Sequence, residues 1–132
     1  MSDHREIEVK FVLTDPAAMR AALQQVGAVF CGAHYELNIR LDDDARSLTA
    51  AGRVLRLRRI ESEQGVTEVL TVKLPQEDVE HTFSVRREIE LEVSDGAALL
   101  AALEVLGYRP YWRYEKRRET FRWGAVEAVI DR

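Results

Sequence analysis

Charged and apolar residues alternate through Glu6-Ile7-Glu8-Val9-Lys10. As a β-strand this stretch puts two carboxylates and an amine on one face, and Ile7, Val9 and Phe11 on the other. The same two-residue spacing returns at Arg56 and Arg58, at Thr71 and Lys73, at Arg86, Glu88 and Glu90, and at Lys116 and Arg118. Alternation and turn signals predict further strands at about 34–42, 52–61, 67–75, 83–93, 109–123 and 125–131. In the first of these, Leu37, Ile39 and Leu41 share one face, with Glu36, Asn38, Arg40 and Asp42 on the other. Residues 76–81 read as a loop, and Trp123-Gly124 as the tight turn between the last two strands.

Period-3.6 patterning predicts two helices. The first opens at Asp15-Pro16, a cap followed by a first-turn proline, carries Met19, Leu23 and Val26 as a stripe, and stops at Gly27. The second opens at Ser94-Asp95, runs through Leu99, Leu103 and Leu106, and stops at Gly107. Residues 15–27 and 95–107 match at seven of thirteen positions with an offset of 80, and the same offset carries Glu8 onto Glu88, Val9 onto Ile89 and Phe11 onto Leu91. A two-fold repeat of a strand–helix–strands unit follows, with four strands in the first half and three in the second.

At 132 residues the chain is read as a single domain, 1–132, large enough to bury a core unaided. A net charge of −4 leaves no basic excess for contacts along a nucleic-acid duplex, so a general nucleic-acid binder is excluded. Cys31 is the only cysteine, which rules out an internal disulfide and a thiolate metal cluster, and it is expected as a small core residue. No apolar run reaches the roughly 20 residues of a membrane span, and Met1–Arg5 is not a signal peptide, so a cytoplasmic location is expected. His4, His34 and His81 lack metal-ligand spacing and are assigned to the surface or loops. Trp112 and Trp123 could stack on a base, but outer-face packing is the expectation. Ser47, Thr49 and Ser62 have no His–Asp context for a nucleophilic triad, and no Gly-rich phosphate loop is present.

The apolar faces (Ile7, Val9, Phe11, Leu37, Ile39, Leu55, Leu57, Leu70, Val72, Ile89, Leu91) can pack under the helices. If the sheet curls, the charged faces converge. Burying so many charges unpaired is prohibitive, so they line a water-filled cavity, pair across strands, or surround a charged ligand. Alternation by itself also describes a solvated antiparallel sheet laced with salt pairs. For a ligand, the chemistry suits a triphosphate: hard carboxylate oxygens for Mg²⁺ or Mn²⁺, arginines to grip phosphate bidentately, lysines as compact charges.

Glu6-Ile7-Glu8-Val9-Lys10 resembles the E-x-E-x-K signature of the CYTH domain, the group of triphosphate tunnel metalloenzymes that includes adenylate cyclases and thiamine triphosphatase. Other motifs follow in order along the whole chain: Asn38–Asp42, Gly52-Arg-Val-Leu-Arg56-Leu-Arg58, Thr71-Val-Lys73-Leu-Pro75, Arg86-Arg87-Glu88-Ile-Glu90, Glu115–Arg118 and Val129-Ile130-Asp131. The resemblance implies an α+β fold, an antiparallel β-barrel tunnel of about seven strands with two or more helices outside. It implies metal ligation by Glu6, Glu8, Glu88, Glu90 and Asp131, and phosphate contacts from Lys10, Arg56, Arg58, Lys73, Arg86, Lys116 and Arg118. Glu6, Glu8, Lys10 and Lys73 would be the catalytic core. Parity favours Arg86 over Arg87, which shares its face with Ile89 and Leu91. Arg40 stands where the family usually has an aromatic. Tyr114–Phe121 and Leu106-Gly107-Tyr108 look most like the class IV adenylate cyclase branch.

The expected function is therefore a Mg²⁺- or Mn²⁺-dependent enzyme acting on a small-molecule triphosphate (ATP, tripolyphosphate or thiamine triphosphate) in a charged tunnel. Its chemistry is expected to be cyclase-like, with an inorganic or thiamine triphosphatase as the alternative enzyme. A non-catalytic polyanion-binding module is the alternative from another class. Nothing after Asp131 matches the family's final strand with its further E-x-E pair, so an open seam beside the seventh strand, weak activity and pairing with a second copy as a homodimer are expected.

Overall fold

The computed structural model describes residues 1–77 and 83–132. His81 and part of the 76–81 loop lie outside the described residues. The elements run β1 Ser2–Glu8, α1 Pro16–Gln25, β2 Val29–Asp42, α2 Ser47–Ala50, β3 Val54–Ser62, β4 Gly65–Lys73, β5 Ser84–Val93, α3 Gly96–Val105, β6 Arg109–Trp123 and β7 Val126–Asp131. All seven strands join one antiparallel sheet in the order β1-β5-β4-β3-β2-β6-β7, curled into a half-barrel with the helices outside. Among the described residues β1 and β7 are its open edges. No described helix is long and apolar enough to cross a membrane.

The two long helices start and stop by the same chemistry. The Asp15 carboxylate accepts from Ala18 N at 3.1 Å and the Asp95 carboxylate from Ala98 N at 3.0 Å. Gly27 and Gly107 then leave each helix at φ +83° and +96°, a region that glycine enters without a Cβ clash. Strand register extends the equivalence. Glu6 lies opposite Arg86 in the β1–β5 pair, and Glu36 opposite Lys116 in the β2–β6 pair. Both pairs join residues 80 apart, so the pseudo-two-fold axis passes through the sheet at these two points.

The apolar core comprises Ile39, Leu41, Leu57, Val85, Phe121 and Ile130 on the helix side. Part of the expected apolar set does not join it: Ile7, Val9, Phe11 and Leu91 are exposed. β1 is an edge strand, and α1, which follows it, is tied instead to β6, where Arg20 Nε donates to the Glu119 carboxylate at 2.7 Å. Cys31 is exposed rather than buried, beside the register shift between Phe30 and Gly32. Extended pairing of β1 ends at Glu8, so Lys10 lies beyond the strand. The short α2 has no counterpart in the periodicity; its amides from Leu48 and Thr49, and the Thr49 hydroxyl, are bound by the buried Asp42 carboxylate at 2.7–3.0 Å.

Candidate functional site

The concave face is the polar one, and several of its charged and polar side chains are buried. Thr71 and Asn38 are fully buried, as nearly are Glu36, Glu88 and Arg56. Burial at this level commits each charge to a partner or a ligand.

At the β1 side the acids gather. Glu6 and Glu8 from β1 meet Glu88 from β5 around Lys73 at the end of β4, and Glu90, next along that face of β5, accepts from the Thr71 hydroxyl. Lys73 Nζ lies 3.2 Å from Glu6 Oε2 and 3.7 Å from Glu88 Oε2. Burial and the adjacent Glu6 and Glu90 carboxyls push the Glu88 carboxyl up to about 8. Burial also opposes ionisation of Glu6, but hydrogen bonds from Glu88 and Glu8 and the charge on Lys73 hold its carboxyl well below the usual range. The Glu6 carboxylate, then burial, raises Glu8. Lys10 Nζ sits 3.7 Å from Glu8 at the exposed rim. A cavity of about 380 Å³ opens here, lined by Glu8, Val9, Lys10, Lys73, Gln76, Phe83, Ser84 and Arg86.

At the β6–β7 side a second cluster surrounds Glu36. Its carboxylate lies 3.3 Å from Arg58 Nε, 3.7 Å from Arg118 Nε and 3.9 Å from Lys116 Nζ, and it pairs with His34 Nε2 at 2.6 Å. Asn38 joins the network, accepting from Arg58 Nε at 3.3 Å. Arg118 also clamps Asp131 through two bonds of 2.8 and 2.9 Å, with Lys116 at 3.1 Å. Burial opposes ionisation of Asp131, yet these bonds hold its carboxyl at about 2.

The same face carries arginine nitrogens without partners among the described residues. Arg40 Nε, Arg56 Nε and Nη2, and Arg86 Nε are buried and lack hydrogen-bond acceptors among the described residues, as Glu88 Oε2 lacks a donor. Arg40 stands directly opposite Arg56 across β2 and β3.

The fit to a divalent cation is divided. No three described His, Cys, Asp or Glu side chains form a closed metal cage. Mg²⁺, however, commonly takes one or two carboxylates and completes its shell with water and phosphate oxygens. The crowded Glu6, Glu8 and Glu88 carboxyls, one with an orphaned buried oxygen, suit that role. Asp131 does not join them: both its oxygens are taken by Arg118 and Lys116. Glu90 lies toward the cations, its carboxyl lowered by a hydrogen bond from Glu88 and by the charges of Arg58 and Arg56.

The face thus gathers Glu6, Glu8, Glu88, Glu90, Lys73 and Arg86 at one end and Arg58, Lys116 and Arg118 at the other, with Arg56 between. Arg87 points away, bonded to Asp3 at 2.9 and 2.7 Å, as parity requires. Two expectations are corrected. His34 is neither a surface nor a loop residue, because it sits within β2 beside Glu36. Trp112 belongs to the concave face, not the outer one, since it lies opposite Arg40 and shares parity with Lys116 and Arg118. Glu36 and Asn38 were visible on the polar face of their strand, but only the pairing of β2 with both β3 and β6 shows them at the centre of a cation cluster.

A family model, CYTH domain, matches residues 4–132. No curated protein matches. Solved structures of similar fold include a candidate adenylate cyclase from Vibrio parahaemolyticus (TM-score 0.73, 19% identity, 98% of this chain and 67% of that one). A protein from Pyrococcus horikoshii is similar at TM-score 0.79 and 20% identity, over 98% and 70% of the two chains. A candidate adenylyl cyclase from Hippeastrum, whose dominant activity is that of a triphosphatase, is similar at TM-score 0.70 and 15% identity, over 98% and 70%.

Proposed function

This chain belongs to the CYTH domain family, and we propose that its concave face binds a triphosphate and, with Mg²⁺ or Mn²⁺, acts on it as a class IV adenylate cyclase does. The observation that carries this reading is the set of buried nitrogens of Arg40, Arg56 and Arg86, unpartnered among the described residues, on the same face as an acid cluster. Desolvated guanidinium groups without acceptors are costly unless an anion completes them. Phosphate oxygens do so with charge-assisted, often bidentate bonds.

The residues divide the work. Arg56 and Arg86 receive phosphate oxygens. Lys73, now held between Glu6 and Glu88, turns to phosphate once those acids are otherwise neutralised, and Lys10 adds charge at the mouth of the cavity. Glu6, Glu8 and Glu88 would hold the divalent cation, which when bound would offset phosphate charge. Arg58, Lys116 and Arg118 are already committed to Glu36 and Asp131, and set the positive field of the far wall. In the cyclase reaction the ribose 3′-oxygen attacks the α-phosphorus, and the bond to the β-phosphate oxygen breaks to release pyrophosphate. Preorganised cations stabilise charge developing on those oxygens.

A hydrolase reading uses the same site, with water attacking the γ-phosphorus. The triphosphatase activity of the Hippeastrum neighbour favours keeping it. Incubation with ATP, tripolyphosphate and thiamine triphosphate, each with Mg²⁺ and with Mn²⁺, separates the readings. Cyclic AMP and pyrophosphate from ATP are expected. Orthophosphate together with the matching diphosphate (ADP, pyrophosphate or thiamine diphosphate), and no cyclic AMP, establishes the hydrolase; binding without turnover in either metal leaves a polyanion-binding module and overturns the enzymatic reading.

A further inference from the structure

We propose that Trp112, with Tyr114 beside it and the Arg40 guanidinium over its ring, is a stacking platform for the base of a nucleoside triphosphate. The inference rests on the triphosphate reading above and names the substrate class for it: nucleotides, over inorganic or thiamine triphosphate.

Strand register puts the rings there. Asn38 lies opposite Tyr114 and Arg40 opposite Trp112, so both aromatics emerge on the concave face with Lys116 and Arg118. The ring centroids are 4.8 Å apart at 40°. Trp112 is nevertheless 51% exposed. Tyr114 and Arg40 therefore cover only part of this large indole on a largely charged face, and a flat apolar surface beside cations is what a nucleotide base requires. At this end of the platform the register shifts between Arg40 and Leu41, leaving Tyr111 as the extra residue of β6; such bulges bend a strand and re-aim its side chains.

The neighbouring row supplies the phosphate end. Thr71, Arg56, Arg40 and Trp112 lie opposite one another across four adjacent strands. Arg56 is 7% exposed, and its Nε and Nη2, like Arg40 Nε, have no acceptor among the described residues. Two strand spacings, roughly 10 Å, separate the backbones of Arg56 and Trp112. A phosphate held at Arg56 therefore has Arg40 and then the indole next along the row.

Charge selects among organic ends. The Arg40 guanidinium lies 5.8 Å from the centroids of both Trp112 and Tyr111, and Arg46 lies 4.3 Å from Tyr111. These rings already face cations, so a thiazolium is repelled where a neutral base stacks on both indole and guanidinium.

The test compares calorimetric affinities of ATP and tripolyphosphate, in the same metal, for the wild type, Trp112→Ala and Trp112→Phe. Trp112→Ala is expected to lose ATP affinity on the order of 5- to 150-fold, the range of one base–aromatic stack, with Trp112→Phe recovering most of it. Tripolyphosphate affinity should be unchanged in both variants, which also verifies that they fold. Unchanged ATP affinity, or equal losses for the two ligands, overturns the platform and leaves the triphosphate reading intact. A wild type that binds neither ligand overturns the triphosphate reading and this inference together.

Discussion

Glu36 is 2% exposed and carries its carboxylate among Arg58, Lys116, Arg118 and His34, whereas Arg56, two residues from Arg58 on β3, is also buried but has two nitrogens unpartnered among the described residues. The same substitution should therefore act in opposite ways at neighbouring arginines. Arg58→Ala removes one of several partners of a buried charge and is expected to lower ligand-free stability by about 1–3 kcal/mol. Arg56→Ala relieves a desolvated charge and is expected to leave that stability unchanged or raised, while weakening tripolyphosphate binding. Chemical denaturation of both variants in chelator checks this; parallel losses would mean that Arg56 is also a structural ion-pair member. Asp42 provides the pH dependence. Burial opposes its ionisation, but hydrogen bonds from Thr49, Leu48 and Asp43 hold the carboxyl at about 2 against an ordinary 3.8. A depressed folded-state value means that its contribution is complete above 3.8 and disappears as pH falls through about 2. Asp42→Asn should cost about 1–2 kcal/mol at neutral pH, with the gap to wild type closing on acidification; a constant gap from pH 7 to pH 2 would contradict it. At this scale parity was a sound guide for Arg86 and Arg87. It could also have placed Trp112 with Lys116, but an aromatic between charges reads as packing until the strand opposite is known to carry Arg40.

Capping governs how well the elements themselves could be read. Asp15-Pro16, Asp95 and the two terminal glycines mark α1 and α3 because caps and positive φ impose residue types locally. α2 is four residues long, too short for any periodicity, and its carboxylate cap comes from Asp42 at the end of β2. The outward start of β2 at Val29 was also missed, since Val29-Phe30-Cys31 does not alternate. α3 carries a second, tertiary cap: Gly96 N donates to the Glu68 carboxylate of β4 at 3.2 Å, and a methyl group on Gly96 would overlap that carboxylate. Gly96→Ala should thus expel Glu68 and cost about 0.5–1 kcal/mol, the scale of a carboxylate at a helix N-terminus. In a Glu68→Ala background the same substitution should be neutral or stabilising, because alanine is the better helix former. A double-mutant cycle measured by thermal unfolding checks the coupling; additive effects would mean that the glycine is needed for its backbone alone.

The offset of 80 between repeats was legible along the chain, because helix caps and strand parity recur with it, but its meaning for the whole molecule was not. Pairing order is a non-local property. Only the sheet shows that the equivalent strands β1 and β5, and β2 and β6, lie side by side, with Glu6 facing Arg86 and Glu36 facing Lys116 on the pseudo-axis. The break from symmetry is equally informative: β3 sets Arg58 opposite Asn38, whereas β7 sets Asp131 opposite Arg118. An acid in place of a base at that point neutralises the β6 cations and leaves the arginines that lack partners among the described residues on β2, β3 and β5. The central claim is that those arginines hold a triphosphate. Calorimetric titration of tripolyphosphate into the wild type, Arg56→Ala and the convex-face variant Arg59→Ala tests it most directly. The expected result is saturable binding by the wild type, a loss on the order of 10- to 150-fold in Arg56→Ala, corresponding to one charge-assisted contact, and no change in Arg59→Ala. Absence of binding by the wild type, or equal affinity in all three proteins, would contradict the account.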